Sequence, residues 1–318
     1  MSINTNAVKQ LYEACFNCLS DSVSGRTESP ISTRAVASSS TFTALAGVGV
    51  FMVTFTLTTG GDNITGTIGD DTFKGTYDAA VTDTFGANDF LNGSAGIDTL
   101  KIDHLLNVAI TPPDDLWTHI SNIEKIVINT TGDGAQTITT GAAFQAAFAP
   151  AGVNLTTTTS GAGAINLTMT TFTGAATLKT TSVDGAQTIV TGSGVTAVTG
   201  ATSGAGALNI KGVGLASVLA TTTGAGAQTI GDGSGNGVHL VAVTATSAGG
   251  AQSITSTSTN AVRVTATSTS GAQTIITGAD ADVITASTTA PINTITTNGG
   301  NDRITILATT TGNYTLDA

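Results

Sequence analysis

The sequence has few charged, aromatic and sulfur-containing side chains. Of its 318 residues, 10% are charged and 4% are aromatic, and it contains only two cysteines and five prolines. Small side chains cannot fill a wide interior, so this composition excludes an ordinary thick core. A positive mean hydropathy together with low charge also argues against disorder. The abundant residues are Gly, Thr and Ala, and with a few Ile, Val and Leu per turn they suit the narrow coils of a solenoid.

Basic residues are scarce as well. Ten Lys and Arg against 21 Asp and Glu give a net charge of −11. We therefore expect no nucleic-acid partner, since no basic patch is apparent that could displace the counterions of phosphates. The cysteines form one Cys-x-x-Cys pair, Cys15 and Cys18, without the second pair of a zinc site or the preceding strand of a redox motif. We interpret them as two residues of a short helix.

The first 45 residues are predicted to form a helix and an extended arm that anchor or assemble the protein. Between positions 5 and 20, helical spacing relates Val8, Leu11, Tyr12, Cys15 and Leu19. Residues 20–40 are rich in Ser and Thr, and the start lacks the features of a cleavable signal. The apolar stretch 42–57 is interrupted by Thr and is short for a membrane helix. It predicts strands, with a membrane segment as the alternative.

A nine-residue grid of acids follows the arm. Asp62, Asp71, Asp89 and Asp98 lie on this grid, only Ala80 misses, and each Asp is followed two positions later by a large apolar residue. Glycines precede the acids and permit the tight turns that such a spacing needs. Two nonapeptides per coil would place acids separated by two repeats, such as Asp71 and Asp89, above one another.

This region, residues 46–122, is predicted to be a β-roll that binds calcium and carries a short helical or irregular insert at 114–120. Carboxylates and backbone carbonyls are the oxygen ligands that Ca²⁺ prefers, and it tolerates irregular geometry. The alternative is a set of ordinary Asp-containing turns. The predicted ligands here are Asp62, Asn63, Asp70, Asp71, Asn88, Asp89 and Asp98. The predicted turn glycines are Gly60, Gly61, Gly66, Gly69, Gly93 and Gly96.

A longer repeat occupies residues 123–318. Gly-Ala-Gln-Thr-Ile or a variant of it begins at eight positions, with spacings of 29, 22, 21, 20, 24, 21 and 20 residues: Gly134, Gly163, Gly185, Gly206, Gly226, Gly250, Gly271 and Pro291. Such self-similarity predicts about nine stacked coils of a parallel β-solenoid. The recurring Gln is expected to form a ladder along the rod, as amides do in cross-β assemblies.

Acids return near the C-terminal end of this repeat. The interval from Asp282 to Asp302 equals the last spacing of the repeat, which is one coil, and we predict a second calcium site between adjacent coils. Its predicted ligands are Asp280, Asp282, Asn301 and Asp302, with turn glycines Gly299 and Gly300. The alternative is a pair of Gly/Asp turns in which Arg303 neutralises a carboxylate.

The nonapeptides resemble Gly-Gly-x-Gly-x-Asp-x-U-x of RTX proteins, and the layout resembles the RTX-type bacterial surface-layer family. The stretches that carry this resemblance are Thr56–Thr67 and Ile120–Ile128, followed by Thr/Gly/Ala-rich repeats. The resemblance implies export by a type I secretion system through an uncleaved C-terminal signal, for which the tail 304–318 is suitable. It also implies calcium binding and assembly on the outer cell surface. The nonapeptides are fewer than in toxins of the group, and one is broken.

Three classes of function are compatible with the sequence. The first is a secreted structural protein that polymerises with calcium into a surface layer or filament, partnered by itself and by cell-surface polysaccharide. The alternative is an extracellular adhesin or an ice- or glycan-binding solenoid. Its Thr-x-Thr stretches, such as 265–267, could order water, but the uneven repeat spacing predicts irregular ranks. An enzyme is not expected, because the repeats do not group acids with bases.

Overall fold

The computed structural model describes residues 33–36, 42–43, 52–232, 240–307 and 312–317. The predicted N-terminal helix, most of the arm, and Cys15 and Cys18 lie outside these residues. The described part is built of short strands that pair in parallel, with one α-helix and one 3-10 helix. The predicted all-β fold, a parallel β-solenoid, is therefore confirmed for this part of the chain.

The helices are η1 (3-10, Asp114–Trp117) and α1 (Ala142–Phe148). The strands, in chain order, are β1 Thr33–Val36, β2 Phe42–Thr43, β3 Val53–Thr56, β4 Asn63–Thr65, β5 Thr72–Thr76, β6 Phe90–Asn92, β7 Thr99–His104, β8 Ile120–Ser121, β9 Lys125–Thr130, β10 Gln136–Thr139, β11 Val153–Thr159, β12 Ile165–Thr168, β13 Ala176–Ser182, β14 Gln187–Thr191, β15 Thr196–Thr202, β16 Leu208–Gly212, β17 Leu215–Thr222, β18 Gln228–Gly231, β19 Ala242–Ser247, β20 Gln252–Thr255, β21 Arg263–Ser268, β22 Gln273–Ile276, β23 Val283–Ser287, β24 Asn293–Thr296, β25 Arg303–Ile306 and β26 Tyr314–Asp317.

These strands form three sheets. Sheet A takes the odd-numbered strands from β1 to β25, one per coil. Sheet B takes β2, β4, β6 and β8, and sheet C takes the even-numbered strands from β10 to β26. Coils at the N-terminal side therefore contribute one strand to sheet A and one to sheet B. The later coils contribute one strand to sheet A and one to sheet C. Nine strands of sheet A, from β9 onward, match the nine coils predicted for the long repeat.

Alternation of inward and outward side chains fixes the register of each coil. In β9, β11 and β13, the inward residues Ile126, Leu155 and Leu178 lie one above another, and each is at most 1% exposed. Burying such a side chain contributes roughly 1.5–3 kcal/mol relative to exposure. A slip by one residue would turn the whole column to solvent, so a single register is strongly favoured.

The predicted stacking of acids two nonapeptides apart was wrong. The coil from β3 to β5 does span two nonapeptides, since Thr54 pairs with Thr72. The next coil spans three, because Thr72 pairs with Thr99. The broken nonapeptide around Ala80 lies outside the strands, in a loop that Asp83 closes by accepting the N–H groups of Asp78 and Ala80, both at 2.8 Å. This looped-out repeat accounts for the longer coil.

The predicted glutamine ladder is confirmed in the later coils. Gln252 Nε2 donates to Gln228 Oε1 at 2.9 Å, and Gln273 Nε2 donates to Gln252 Oε1 at 2.8 Å. Tyr314 Oη donates to Gln273 Oε1 at 2.9 Å. Inward residues of sheet A facing this ladder are small, as at Ala266, and leave room for the amides. The buried amides are thus satisfied by one another and by backbone carbonyls.

An aromatic cluster packs where sheet B gives way to sheet C. Its rings are Phe85, Trp117, Phe144, Phe148 and Phe172, with neighbouring centroids 4.6–5.9 Å apart. Helix α1 presents two of them at an i, i+4 spacing, and Asp114 caps its first turn from η1. The Asp114 carboxylate accepts the N–H of Gly141 and Ala143, both at 2.8 Å. The sequence analysis predicted a short helical or irregular insert where η1 lies, but it missed α1.

Candidate cation sites at the coil corners

The predicted ligands lie at corners between strands, and burial divides them into two groups. Asp62, Asp71, Asp89, Asp98 and Asp282 are 1–2% exposed. Asp302 is half-buried. The other predicted ligands are exposed: Asn63, Asp70, Asn88, Asp280 and Asn301. Burial of a carboxylate requires compensation by hydrogen bonds or by a cation, so the buried group decides what these corners can do.

Three buried acids are compensated by the backbone. Asp71 Oδ1 accepts the N–H of Val53 at 2.8 Å, one coil away, and its Oδ2 accepts the N–H of Thr67. Asp62 accepts the N–H of Thr58 at 2.7 Å. Both side chains close their own turns, and Asp71 also bridges to the adjacent coil.

Asp89 is compensated in the same way. Its Oδ1 accepts the N–H of Asp62 at 2.9 Å, one coil away, and its Oδ2 accepts the N–H of Gly86 at 2.8 Å. Asp62, Asp71 and Asp89 therefore form the ordinary Asp-containing turns that the sequence analysis gave as the alternative to calcium ligands.

Asp98 differs from Asp71 at one oxygen. Its Oδ1 accepts the N–H of Asp71 at 2.6 Å, but its Oδ2 is buried and has no hydrogen-bond partner. The cause is Ser94, which takes the place of Thr67: its φ of +78° turns its N–H toward Asn92 Oδ1, at 2.9 Å. A buried carboxylate oxygen without a donor is costly.

A second oxygen lies beside the unpartnered one. A Cβ on Gly93 would overlap both Asp98 Oδ2 and the carbonyl oxygen of Asn122. The two oxygens therefore crowd the same backbone position, which only glycine can occupy. The same arrangement precedes it by one coil, where Gly66 lies against Asp71 Oδ2 and the carbonyl of Gly93. Glycine is required here by close approach rather than by a left-handed φ.

The electrostatics of this corner follow from burial and like charge. Burial, then the charges of Asp71, Glu124 and Asp70, raise the pKa of Asp98 from 3.8 to about 7, although the hydrogen bond from Asp71 N–H opposes the shift. Burial likewise raises the pKa of Asp89. Glu124 Oε2 accepts the N–H of Asp98 at 2.9 Å, so it continues the column of acids. A cation at this corner would relieve the repulsion.

The C-terminal corner repeats this pattern. Asp282 Oδ1 accepts the N–H of Val262, and Asp302 Oδ1 accepts the N–H of Asp282, both at 2.8 Å and both across one coil. The predicted one-coil stacking of Asp282 and Asp302 is therefore confirmed. Asp282 Oδ2 is buried without a hydrogen-bond partner, like Asp98 Oδ2. Gly300 has a φ of +110°, a value that strongly favours glycine. Among the described residues, no carboxylate lies at ion-pair distance from Arg303, so the alternative in which Arg303 neutralises a carboxylate is not observed.

These corners fit calcium only if backbone oxygens complete the ligand set. Within the described ranges, no three His, Cys, Asp or Glu side chains converge closely enough to hold a metal ion. Ca²⁺, however, accepts backbone carbonyls among its six to eight oxygens. Asp98 Oδ2 with the Asn122 carbonyl is such a pair. At the C-terminal corner, Asp282 Oδ2 is likewise buried without a hydrogen-bond partner.

Two buried polar groups were missed by the sequence analysis. His104 is fully buried, with Nδ1 at 3.0 Å from Thr130 Oγ1 and Nε2 at 3.4 Å from Asp78 Oδ1. Asp78 Oδ1 also accepts the N–H of Leu105 and Leu106 at 2.8 Å. Asp232 is buried and accepts the hydroxyl of Ser256 at 3.2 Å in the next coil. The only sequence signal for the burial of Asp78 and Asp232 is that each is separated from other charged residues.

The expectation of irregular threonine ranks was wrong for the C-terminal coils. Strand pairing places Thr244, Thr265, Thr285 and Thr305 in one continuous outward column of sheet A. The uneven spacing is absorbed at the corners, so it does not disturb the sheet.

The fold and corners together define a parallel β-solenoid protein with acid-lined corners. Comparison of the chain with models of protein families, with curated proteins and with solved structures returned no match. The RTX-type resemblance stays a prediction. No helix in the described part of the chain is both long and apolar enough to span a membrane.

Proposed function

We propose that this protein is a secreted, non-enzymatic building block of a bacterial surface layer or extracellular filament, ordered by calcium. The observation that carries the proposal is the pair of buried, unpartnered carboxylate oxygens, Asp98 Oδ2 and Asp282 Oδ2. Both lie at corners where the sequence pattern predicts calcium. When bound, the ion would supply positive charge to these oxygens and hold successive coils together.

The last described coil leaves a strand edge unpaired. Within the described residues, β25 and β26 each pair on one edge only. Leu316 is 52% exposed, whereas Ile295, its counterpart one coil earlier, is fully buried. Such an edge accepts a further coil, from this chain or from a second copy. Secretion and surface location rest on the family resemblance.

The described histidines support a non-enzymatic role. His104 is buried beside Asp78, out of reach of a substrate. The His119 ring stacks on Phe90 with centroids 3.9 Å apart. Neither is grouped with a second acid or base in an open cleft.

Thermal unfolding with calcium or with a chelator tests the proposal. We expect 10 mM Ca²⁺, but not Mg²⁺, to raise the melting temperature, because a site with a dissociation constant of ~10⁻⁴ M would add about 2.7 kcal/mol. The double variant Asp98→Asn/Asp282→Asn should lose this response. Negative-stain microscopy of the same samples should show polymers only with calcium.

Asp89→Asn is the matched control. Both oxygens of Asp89 accept backbone N–H groups, and its charge is not among those that act on Asp98, so this variant should lose stability equally with and without calcium. An unchanged melting temperature of the wild type on adding calcium would refute metal-driven ordering.

The threonine column favours one alternative, an ice- or glycan-binding solenoid. Thr244, Thr265, Thr285 and Thr305 present hydroxyls at a repeat of ~4.8 Å. Thermal hysteresis by calcium-free monomers, or selective binding on a glycan array, would favour this function over a lattice protein.

A further inference from the structure

Folding gathers the basic residues on one face. Six of the seven basic side chains that the structure describes belong to strands of sheet A and are exposed or half-buried: Lys74, Lys101, Lys125, Lys179, Arg263 and Arg303. The strands of sheet A with described side chains contain one acid, Asp103, which lies 3.5 Å from Lys74 Nζ and 3.4 Å from Lys101 Nζ. The remaining described acids lie almost entirely at corners.

This face corrects the expectation that the chain has no basic patch. The cations are dispersed along the sequence, from position 74 to position 303, so no local charge run is visible. Parallel coils place equivalent positions above one another, so the dispersed residues fall in two neighbouring outward columns of sheet A. One column contains Lys74, Lys101 and Lys179, and the other contains Lys125, Arg263 and Arg303. A molecule of net charge −11 thus has a cationic face between anionic corners.

Two of the lysines match two corner acids in spacing. Lys125 is in β9 and Lys179 is in β13, two strands further along sheet A. Asp133 and Asp184 lie in the corners that follow the same two strands, and both are exposed. Because strands are ~4.8 Å apart, each pair is separated by about 10 Å along the solenoid axis.

All four side chains are available for contact. Among the described residues, Lys125 and Lys179 have no carboxylate at ion-pair distance, unlike Lys74 and Lys101. The corner acids are held in place: Asp133 Oδ1 accepts the N–H of Ala162 at 2.6 Å, and Asp184 Oδ1 accepts that of Ala205 at 3.0 Å. Outward residues between the lysines are short: Asn154, Thr156 and Thr177 are polar, and Val127 is apolar.

We propose that this face of sheet A docks a second copy of the chain side by side. The corner of one copy, through Asp133 and Asp184, meets Lys125 and Lys179 of its neighbour without axial shift. Charge complementarity selects this occupant: each copy carries both halves of the contact, with matching spacing along the solenoid axis. The inference rests on the proposed assembly function and specifies its lateral contact. Such exposed ion pairs are screened by salt, so association should weaken as salt rises.

Charge reversal tests the contact. Lys125→Glu/Lys179→Glu should weaken lateral association at least about tenfold in sedimentation velocity at 50 mM NaCl, and so should Asp133→Lys/Asp184→Lys. An equimolar mixture of the two variants should restore it. Lys211→Glu, on sheet C, is the matched control and should associate like the wild type. Asp133→Asn/Asp184→Asn keeps the backbone acceptors and removes only charge, so it separates lost contact from lost folding.

The outcomes separate this inference from the proposed function. Calcium-dependent polymers of the same width and salt response in every variant would overturn the lateral contact and leave the proposed function standing. Failure of the mixture to restore association, with all variants folded by circular dichroism, would also overturn it. A wild type that stays monomeric with calcium at every concentration would overturn both.

Discussion

Asp71 and Asp98 occupy equivalent positions in neighbouring coils and yet differ at one carboxylate oxygen. Asp71 Oδ2 accepts the N–H of Thr67, whereas Asp98 Oδ2 has no partner because Ser94 has a left-handed backbone. The sequence predicts that both acids lie at tight turns. The sequence does not separate them, since Gly-Thr-Ile-Gly and Gly-Ser-Ala-Gly are nearly the same pattern. The difference depends on whether the N–H of Ser94 donates to Asn92 or to Asp98.

The pH dependence of stability without calcium is a prediction at this scale. The pKa of Asp98 rises from 3.8 to about 7 on folding, so the folded state binds the extra proton between these values. Stability should therefore fall as pH rises from about 4 to 7. The loss is at most a few kcal/mol, since one pKa unit corresponds to about 1.4 kcal/mol. Urea unfolding in chelator across this range measures it.

Asp98→Asn isolates the contribution. An amide keeps the acceptor for Asp71 N–H and offers a donor to the Asn122 carbonyl, so the variant should be more stable than the wild type at pH 7 and should vary less with pH. The depressed pKa of His104 acts in the opposite direction in both proteins and cancels in the difference. A wild type and variant with parallel pH profiles would contradict the prediction.

At the scale of the strand and coil, spacing in the sequence was a good guide. The start-to-start intervals of the Gly-Ala-Gln-Thr-Ile repeat equal the register intervals of sheet C: Gln136 pairs with Ile165, and Gln252 pairs with Gln273. The missing acid at position 80 marked one nonapeptide as irregular, but the sequence did not show that it leaves the strands, because that depends on the loop that Asp83 closes. Helix α1 was missed since its stability comes from a distant cap, Asp114, and from aromatic packing.

The glutamine ladder allows a prediction for single coils. Gln252→Leu should destabilise the protein by about 1–3 kcal/mol, because it leaves Gln228 Oε1 buried without this donor. The shape is tolerated, since Leu208 occupies the equivalent position of another coil. A double-mutant cycle with Gln228→Leu is the control, because the losses of the two variants should not add if their amides bond each other. Additive losses in chemical denaturation would contradict an amide ladder.

At the scale of the molecule, sheet A stays paired although the coils differ in length, and its register shifts at one irregularity, between Thr196 and Ala197. The step from Thr54 to Thr72 covers two nonapeptides, and the step from Lys125 to Asn154 covers more than three. Composition predicted this architecture because a narrow core needs only a few apolar side chains per coil. The cationic face was not predicted, since it exists only once the coils are stacked.

Removing one coil tests this modular construction. Deleting residues 199–218 joins Val198 to Leu219, and Val198 pairs with Val218, so the register is kept. We expect a shorter rod with an unchanged circular dichroism signal per residue and a modest fall in melting temperature, as nearest-neighbour stacking implies. Deleting only residues 199–208 breaks the register and should prevent folding of the adjacent coils. If the two deletion variants had the same melting temperature and circular dichroism signal, modular construction would be contradicted.

The hydrogen bonds between strands run along the solenoid axis, because each strand lies across it. A pull on the two ends would therefore load these bonds one coil after another, as in a zipper, rather than shear many at once. Each released coil would lengthen the molecule by its own length of extended chain and lower the tension on the next. The proposed layer or filament, built from such coils, would therefore extend in small steps under load instead of breaking at once.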